Sequence, residues 1–216
     1  MASTIQIDLF TDVVCPWCLI GTARLDQAIA ALDPDVAVEV RQHPFLLDPT
    51  TPREGRNTRD YLASKYDGDI DAMRQRVVDA ARDAGIDLDL SVQPMSYSTI
   101  DAHTVIRHAL PEGRYGLAKR MAEAYFLEGR NIADRDVLKE IAGAFGMAPE
   151  RIDIILDDPK ELETTRALAL SASQQGISGV PFFIFNNQFA LSGAQPPEVF
   201  ARAFRVALGE ETLPAQ

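Results

Sequence analysis

Cys15 and Cys18 stand two residues apart with Pro16 and Trp17 between them, and they are the only cysteines among the 216 residues. Two thiols at that spacing can close into a small disulfide ring and reopen, so the pair can carry two electrons. The chemistry is favoured where the first sulfur opens a helix, because the unpaired N–H groups and positive end of the helix favour a thiolate. A lowered thiol pKa also makes sulfur a better leaving group, which lets one site accept or donate a disulfide. On this reading Cys15, outermost on the helix and reached from solvent, is the nucleophile that forms a mixed disulfide. Cys18, one turn further in, resolves it. Asp12, three residues before Cys15, is a candidate proton acceptor for Cys18, directly or through water. The commoner use of such an aspartate is to hold backbone N–H groups of the turn.

A buried structural pair or half a zinc site would need the same residues. Structural zinc takes four ligands, and only His103 and His108 suggest a completion. Those two would lie about 140° apart on a helix, some 85 residues beyond Cys18, so no metal is expected. His43, His103 and His108 read as ordinary hydrogen-bonded or exposed histidines. Phe182, Phe183 and Phe185 read as sheet core. Met121, Tyr125 and Phe126 share a helix face and read first as packing, with a groove over the cysteines as a second use.

The elements that must position the thiols are legible from periodicity. Ile5, Ile7 and Leu9 alternate with Gln6 and Asp8, then the run turns apolar through Val13 and Val14, as in a strand entering a buried sheet. Cys18, Thr22, Leu25, Ile29 and Leu32 mark one face of a helix that starts at Pro16, where the missing N–H costs nothing, and stops at Asp33-Pro34. Val36, Val38 and Val40 alternate in a second strand, parallel to the first with a right-handed crossover. Helical periods follow near 58–65, 70–84, 99–110, 114–127, 134–145 and 149–156. After Pro159 a helix reaches Gln175 with Leu162, Leu168 and Ala169 on its apolar side. The run from Gly179 to Phe185 reads as a buried strand, Asn186-Asn187 as a turn able to hold φ > 0, and Gln188 to Leu191 as the antiparallel return. A last helix starts at Pro196 or Pro197 and ends at Gly209.

This is an α/β chain in the thioredoxin order of elements: a two-part thioredoxin-like unit, 1–48 and 160–216, with an all-helical insertion, 49–159, after the second strand. The Cys15-Pro-Trp-Cys18 run at the first strand-to-helix junction, Gly179-Val-Pro-Phe-Phe183, Ser192-Gly-Ala-Gln195, Phe10-Thr-Asp-Val-Val-Cys15 and Glu128-Gly-Arg-Asn131 together resemble the DsbA-like thioredoxin superfamily. Within it the chain looks most like the FrnE group. The resemblance implies that Pro181 is a cis-proline against the redox pair. It also implies that Val180 offers its backbone to an extended substrate added as a strand, with Trp17 an exposed apolar platform beside them. Between the cysteines there is no imidazole, so the strong oxidising power of some relatives is not implied. The second cysteine pair that some FrnE-like proteins carry is missing as well.

Charge narrows the partners. Lys and Arg number 21 against 32 Asp and Glu, a net charge of -11, which repels nucleic acid and anionic membrane surfaces. Arg53, Arg56 and Arg59 alternate with Glu54 and Asp60 and read as a solvated loop. No apolar run approaches a membrane span, and the first ten residues lack a secretory pattern, so a cytoplasmic, reducing setting is expected. There a dithiol–disulfide oxidoreductase or isomerase would act on protein or peptide thiols as reductase or isomerase. Its redox group would be the cysteine pair with no bound cofactor, glutathione would be a candidate co-substrate, and a separate partner would recycle it. Two alternatives remain: a glutathione-dependent isomerase or transferase on the same scaffold, against which Cys18 argues, and a chaperone-like peptide-binding module whose thiols are incidental.

Overall fold

The computed structural model describes residues 4–212; residues 1–3 and 213–216, the outer ends of the two-part unit, lie outside that range. The chain runs through β1 (Thr4–Thr11), α1 (Pro16–Ala30), β2 (Ala37–Pro44), β3 (Arg56–Asn57), α2 (Thr58–Lys65), α3 (Ile70–Asp83) and β4 (Met95–Ser96). It continues through α4 (Ile100–His108), α5 (Pro111–Phe126), α6 (Arg135–Gly143), α7 (Pro149–Asp157), α8 (Pro159–Gln174), β5 (Phe182–Phe185), β6 (Phe189–Ser192) and α9 (Pro197–Ala207).

The main sheet has the order β2-β1-β5-β6, with β1 parallel to β2 and antiparallel to β5, and β5 antiparallel to β6. Strand alternation explains how it is covered. Ile5, Ile7 and Leu9 point to one face, opposite Phe185 and Phe183 in register, and α1 and α9 close over them with Leu25, Ala28, Phe200, Ala203 and Phe204. Phe10, Val180 and Phe182 point to the other face, against Phe45, Ile177 and Ala172 of α8. Two faces covered by helices, a parallel first pair and a closing hairpin make this a thioredoxin fold. Helices α2 to α7 form a helical insertion after β2, and α8 leads from it to β5. The hairpin turns on Asn186 and Asn187, both with positive φ (49° and 55°). The Asn186 side chain ties that turn down, accepting from the Gln6 N–H and donating to the Ala207 carbonyl.

A second apolar cluster fills the helical block, built on Leu117, Met121, Ala124, Leu138, Ile141 and Ile152, and it also takes Val13, Leu19 and Ile20. Helix α1 is therefore shared. Its first half packs into the helical block and its second half, through Leu25 and Ala28, into the sheet core. The cysteine turn sits at its first residues, where the two cores meet.

The structure departs from the sequence expectation in a few places. Helix α5 starts at Pro111 instead of Arg114, because proline fits the first helical position and Gly113 does not break the turn. Leu168 is 45% exposed and not on the apolar side of α8. The buried positions there are Thr165, Ala169 and Ala172, a stripe that leaves Leu168 on its flank. The β3–β4 ladder has two residues per strand, too few to leave a periodic signal. None of the described helices is long and apolar enough to cross a membrane.

Candidate active site

Where β1 ends, Asp12, Val13 and Val14 turn the chain so that the Cys15 N–H donates to the Asp12 carbonyl at 3.0 Å. Cys15 is the N-cap of α1, with extended backbone angles (φ -91°, ψ 113°) and no side-chain cap, and Pro16 occupies the first turn. The Cys15 carbonyl accepts from the N–H groups of Cys18 and Leu19, so both thiols hang from one rigid turn. No acidic side chain lies in that first turn, and the positive end of the helix is left facing the sulfur.

Across from it lies the loop before β5. The Val180–Pro181 peptide bond is cis, and the Val180 carbonyl stands 3.6 Å from Cys15 Sγ, accepting from the thiol. Pro181 is seated on α1 at Gly21, where a Cβ would come within 2.7 Å of its Cγ. The Pro181 carbonyl accepts from the Gly193 N–H, and Arg24 of α1 donates to the Ala194 carbonyl at 2.7 Å. The Ser192–Gln195 segment thus buttresses the proline loop. Trp17 is 38% exposed on the helix surface beside the thiols.

The thiols themselves differ from expectation in one respect. Cys15 is not open to solvent: it is 3% exposed, the same as Cys18, because the proline loop closes over the mouth of the helix. Burial pushes the Cys18 thiol well above its ordinary range. Cys15, by hydrogen bond and charge, and the charge of Asp12 push the same way, while a hydrogen bond with the Asp12 backbone opposes them. Cys18 is accordingly held as a thiol and must shed a proton before it can attack.

Asp12 is buried. Its Oδ2 accepts from the Leu47 N–H at 2.9 Å, the turn-holding use expected of such a residue, while its Oδ1 lies 3.2 Å from Nε2 of His103. Asp12 and Cys18 also share the wall of a cavity of about 10 Å³ with Thr22, Gln42 and Lys119, space for roughly one water. His103 is hydrogen-bonded, as expected, and its partner is Asp12. It reaches from α4 to the segment before the cysteine turn, a long-range pairing that no local sequence signal could reveal. Gly21 does carry a local signal, since a glycine inside a helix, where it costs about 1 kcal/mol against alanine, is the usual mark of close approach.

The remaining candidates take ordinary places. His43 bonds Asp8 at 2.7 Å and stacks on Phe10, and His108 bonds Glu161 at 2.9 Å. Met121, Tyr125 and Phe126 are buried in the helical block as packing. Arg53 pairs with Asp101, Arg56 with Asp48 and Arg59 with Asp71, so the basic cluster is internally neutralised. Among the described residues no group of three His, Cys, Asp or Glu could hold a metal ion.

Known proteins are similar to this chain across most of its length. The uncharacterized protein YwbO of Bacillus subtilis is 27% identical over 204 residues, covering 93% of this chain and 96% of YwbO. The crystal structure of a probable DsbA oxidoreductase from Streptomyces coelicolor superposes with a TM-score of 0.82 at 29% identity, covering 98% of this chain and 93% of that one. The cytosolic disulfide reductase DsbM of Pseudomonas aeruginosa, solved with GSH, shares the fold with a TM-score of 0.61 at 18% identity, over 94% of this chain and 99% of that one. The model of the DSBA-like thioredoxin domain matches residues 6–205, from the first strand through the cysteine turn and the proline loop to the last helix, and the chain belongs to that family.

Proposed function

We propose that the protein is a dithiol–disulfide oxidoreductase of FrnE type, acting on protein or peptide thiols in the cytoplasm. The observation that carries this reading is the facing of Cys15, at the mouth of α1, with the carbonyl of a cis Val180–Pro181 bond 3.6 Å away. Cys15 thiolate attacks a substrate disulfide, forms a mixed disulfide and expels one substrate thiolate. Cys18 gives up its proton to Asp12, attacks Cys15 Sγ and releases the second substrate thiolate. Two electrons thereby pass from the dithiol to the substrate, and the reverse sequence oxidises a substrate dithiol.

Val180, Pro181 and Trp17 hold the client. An extended chain pairing with the Val180 backbone as an added strand takes up the carbonyl that now accepts from Cys15, so docking itself uncovers the sulfur. The cytosolic DsbM neighbour, solved with GSH, supports the cytoplasmic setting and makes glutathione the first co-substrate to test.

A Cys18→Ser variant is expected to accumulate mixed disulfides that Cys15→Ser does not form, read by non-reducing electrophoresis and mass spectrometry. Equal trapping by both would reverse the roles. In the folded protein iodoacetamide is expected to modify Cys15 before Cys18, and failure to modify either over hours would end the exchange reading. Titration of the pair against glutathione then assigns the direction of electron flow. Saturable glutathione binding without disulfide turnover would point instead to an isomerase or transferase. Client protection that survives loss of both thiols would point to a peptide-binding module.

A further inference from the structure

β2 ends the main sheet and pairs with β1 alone. One bond and the register fix which way its backbone groups point. The Phe45 N–H donates to the Thr11 carbonyl, and in a parallel ladder every second residue of a strand turns both its N–H and its carbonyl to the same neighbour. Counting back from Phe45, residues His43, Arg41, Glu39 and Ala37 face β1. The pairing of Ile5 with Val38, Ile7 with Val40 and Leu9 with Gln42 agrees, since each partner then lies between two bonded residues. Val38, Val40 and Gln42 therefore turn their backbone groups away from the sheet. Among the described residues these three N–H and three carbonyl groups have no backbone partner. Such an edge is a template for another strand.

Beyond the edge lies open space. A groove of about 810 Å³ runs along β2 from Val38 to Pro44, with α1, α4, α5 and α8 as its other walls. Ile29, Val38, Val40 and Tyr115 line it at the margin of the sheet core, and Ile106 and Leu168 add to the apolar wall. Leu168, left on the flank of α8, thus faces the groove. The charges along it cancel. Arg41 pairs with Glu39 at 2.8 Å, His43 with Asp8, Arg107 with Glu161 and Asp26 with Lys119, while Glu112 and Arg114 add one charge of each sign. On a chain of net charge -11, this slot is neutral, apolar and edged with backbone hydrogen-bonding groups. That is the complement, in charge and in hydrogen bonding, of an extended uncharged chain. Proline and unpaired charge are the usual guards of an edge, but Pro44 closes only one end and Glu39 and Arg41 neutralise each other. A second copy of the chain carries the same helical walls over its own β2, so two copies cannot join these edges.

We infer that the open edge of β2 is a docking site for an extended, uncharged and largely apolar stretch of unfolded polypeptide, which enters the groove as a fifth strand of the main sheet. Bonds to Val38, Val40 and Gln42 hold the main chain whatever its sequence, and the apolar walls select its side chains. From Val38 to Gln42 the edge runs about 13 Å at ~3.3 Å per residue, room to pair roughly five residues. Gln42 lines both this groove and the small cavity beside Cys18, so the site ends close to the thiols. It shares no residue with the Val180–Pro181 loop, and docking there needs no thiol chemistry, so it stands apart from the exchange reading.

The test uses the reduced, isotope-labelled full chain and a cysteine-free seven-residue peptide of alternating valine and threonine, capped at both ends, with amide hydrogen exchange followed by NMR. At saturating peptide the Val38, Val40 and Gln42 amides are expected to exchange at least about 10-fold more slowly. The Glu39, Arg41 and His43 amides, already bonded to β1, should change little. Methylating the peptide's amide nitrogens at one alternate set of residues should abolish binding, and methylating the other set should leave it, because only one set faces the edge. Leu168→Glu alters a half-exposed position where substitution costs little stability. It should weaken binding about 10-fold by setting an unpaired carboxylate against the bound apolar chain, with reduction of oxidised glutathione unchanged. Cys15→Ser should bind the peptide as wild type does. Peptide that binds without slowing the three amides, that tolerates both methylated sets, or that slows the amides only as the chain dimerises overturns the docking site. So do three amides that already exchange slowly in the free protein. Protection of β2 in a protein that never exchanges disulfides supports the docking site while ending the exchange reading, so the two failures are told apart.

Discussion

Gly21 shows how one atom decides a site. Alanine is the better helix former by about 1 kcal/mol, so Gly21→Ala would be expected to strengthen α1 if nothing faced it. Pro181 does face it, and the added Cβ would stand 2.7 Å from the proline Cγ. Overpacking of that kind costs about 1–3 kcal/mol. The variant is therefore expected to be less stable than wild type by urea titration and to exchange disulfides more slowly, because the Val180 carbonyl moves with the ring. An increase in stability would show that the proline loop yields freely. Cys18 makes a second prediction at this scale. Its folded thiol titrates well above the ordinary range because it is buried beside Cys15 and Asp12, so the native state keeps a proton that the unfolded chain releases near pH 8.5. The sign follows: stability from this group is complete below about pH 8.5 and is lost as pH rises above it. Urea midpoints of the reduced protein should fall more steeply from pH 8 to 10 than those of Cys18→Ala. Parallel curves would contradict the assignment.

The β5–β6 hairpin sets the position of the proline loop, and its turn separates two asparagines that look alike in sequence. Both hold positive φ, which asparagine tolerates and glycine adopts freely. Only Asn186 also bonds outward, to the Gln6 N–H on β1 and to the Ala207 carbonyl at the end of α9. Asn187→Gly is expected to leave stability within about 0.5 kcal/mol, whereas Asn186→Gly forfeits both bonds and should cost about 1–3 kcal/mol. Denaturant midpoints decide it, and equal effects would mean that the turn conformation alone matters. The same element-level economy explains α1. Its cysteine turn is rigid because one end of the helix carries the thiols while its body is clamped by Arg24 to the Ala194 carbonyl and by Gln27 to the Ala84 carbonyl of the helical block.

At the scale of the molecule, α1 belongs to two cores at once, with Leu19 and Ile20 in the helical cluster and Leu25 and Ala28 in the sheet cluster. Neither cluster can open without losing part of that helix, so unfolding is expected to be a single transition. Trp17, the only tryptophan, reports on the cysteine turn, and far-UV circular dichroism reports mainly on the helices. Their urea curves should coincide, and a resolved pair of transitions would show the helical block folding on its own. The sequence by itself determined the order of the main-sheet strands and of the helices, the thiol pair at the mouth of a helix, and the turn at Asn186-Asn187, because periodicity, proline and glycine act over a few residues. It also placed Asp12 beside the thiols, since three residues of chain cannot carry it far. What only the tertiary structure decided are contacts between residues distant along the chain. His103 meets Asp12 from 91 positions away and the Val180 carbonyl covers Cys15 from 165 positions away. Gly21 is indispensable only because Pro181 arrives against it. Such meetings are fixed by how two cores pack around one helix, and nothing in the local pattern at any of these positions records where its partner will be.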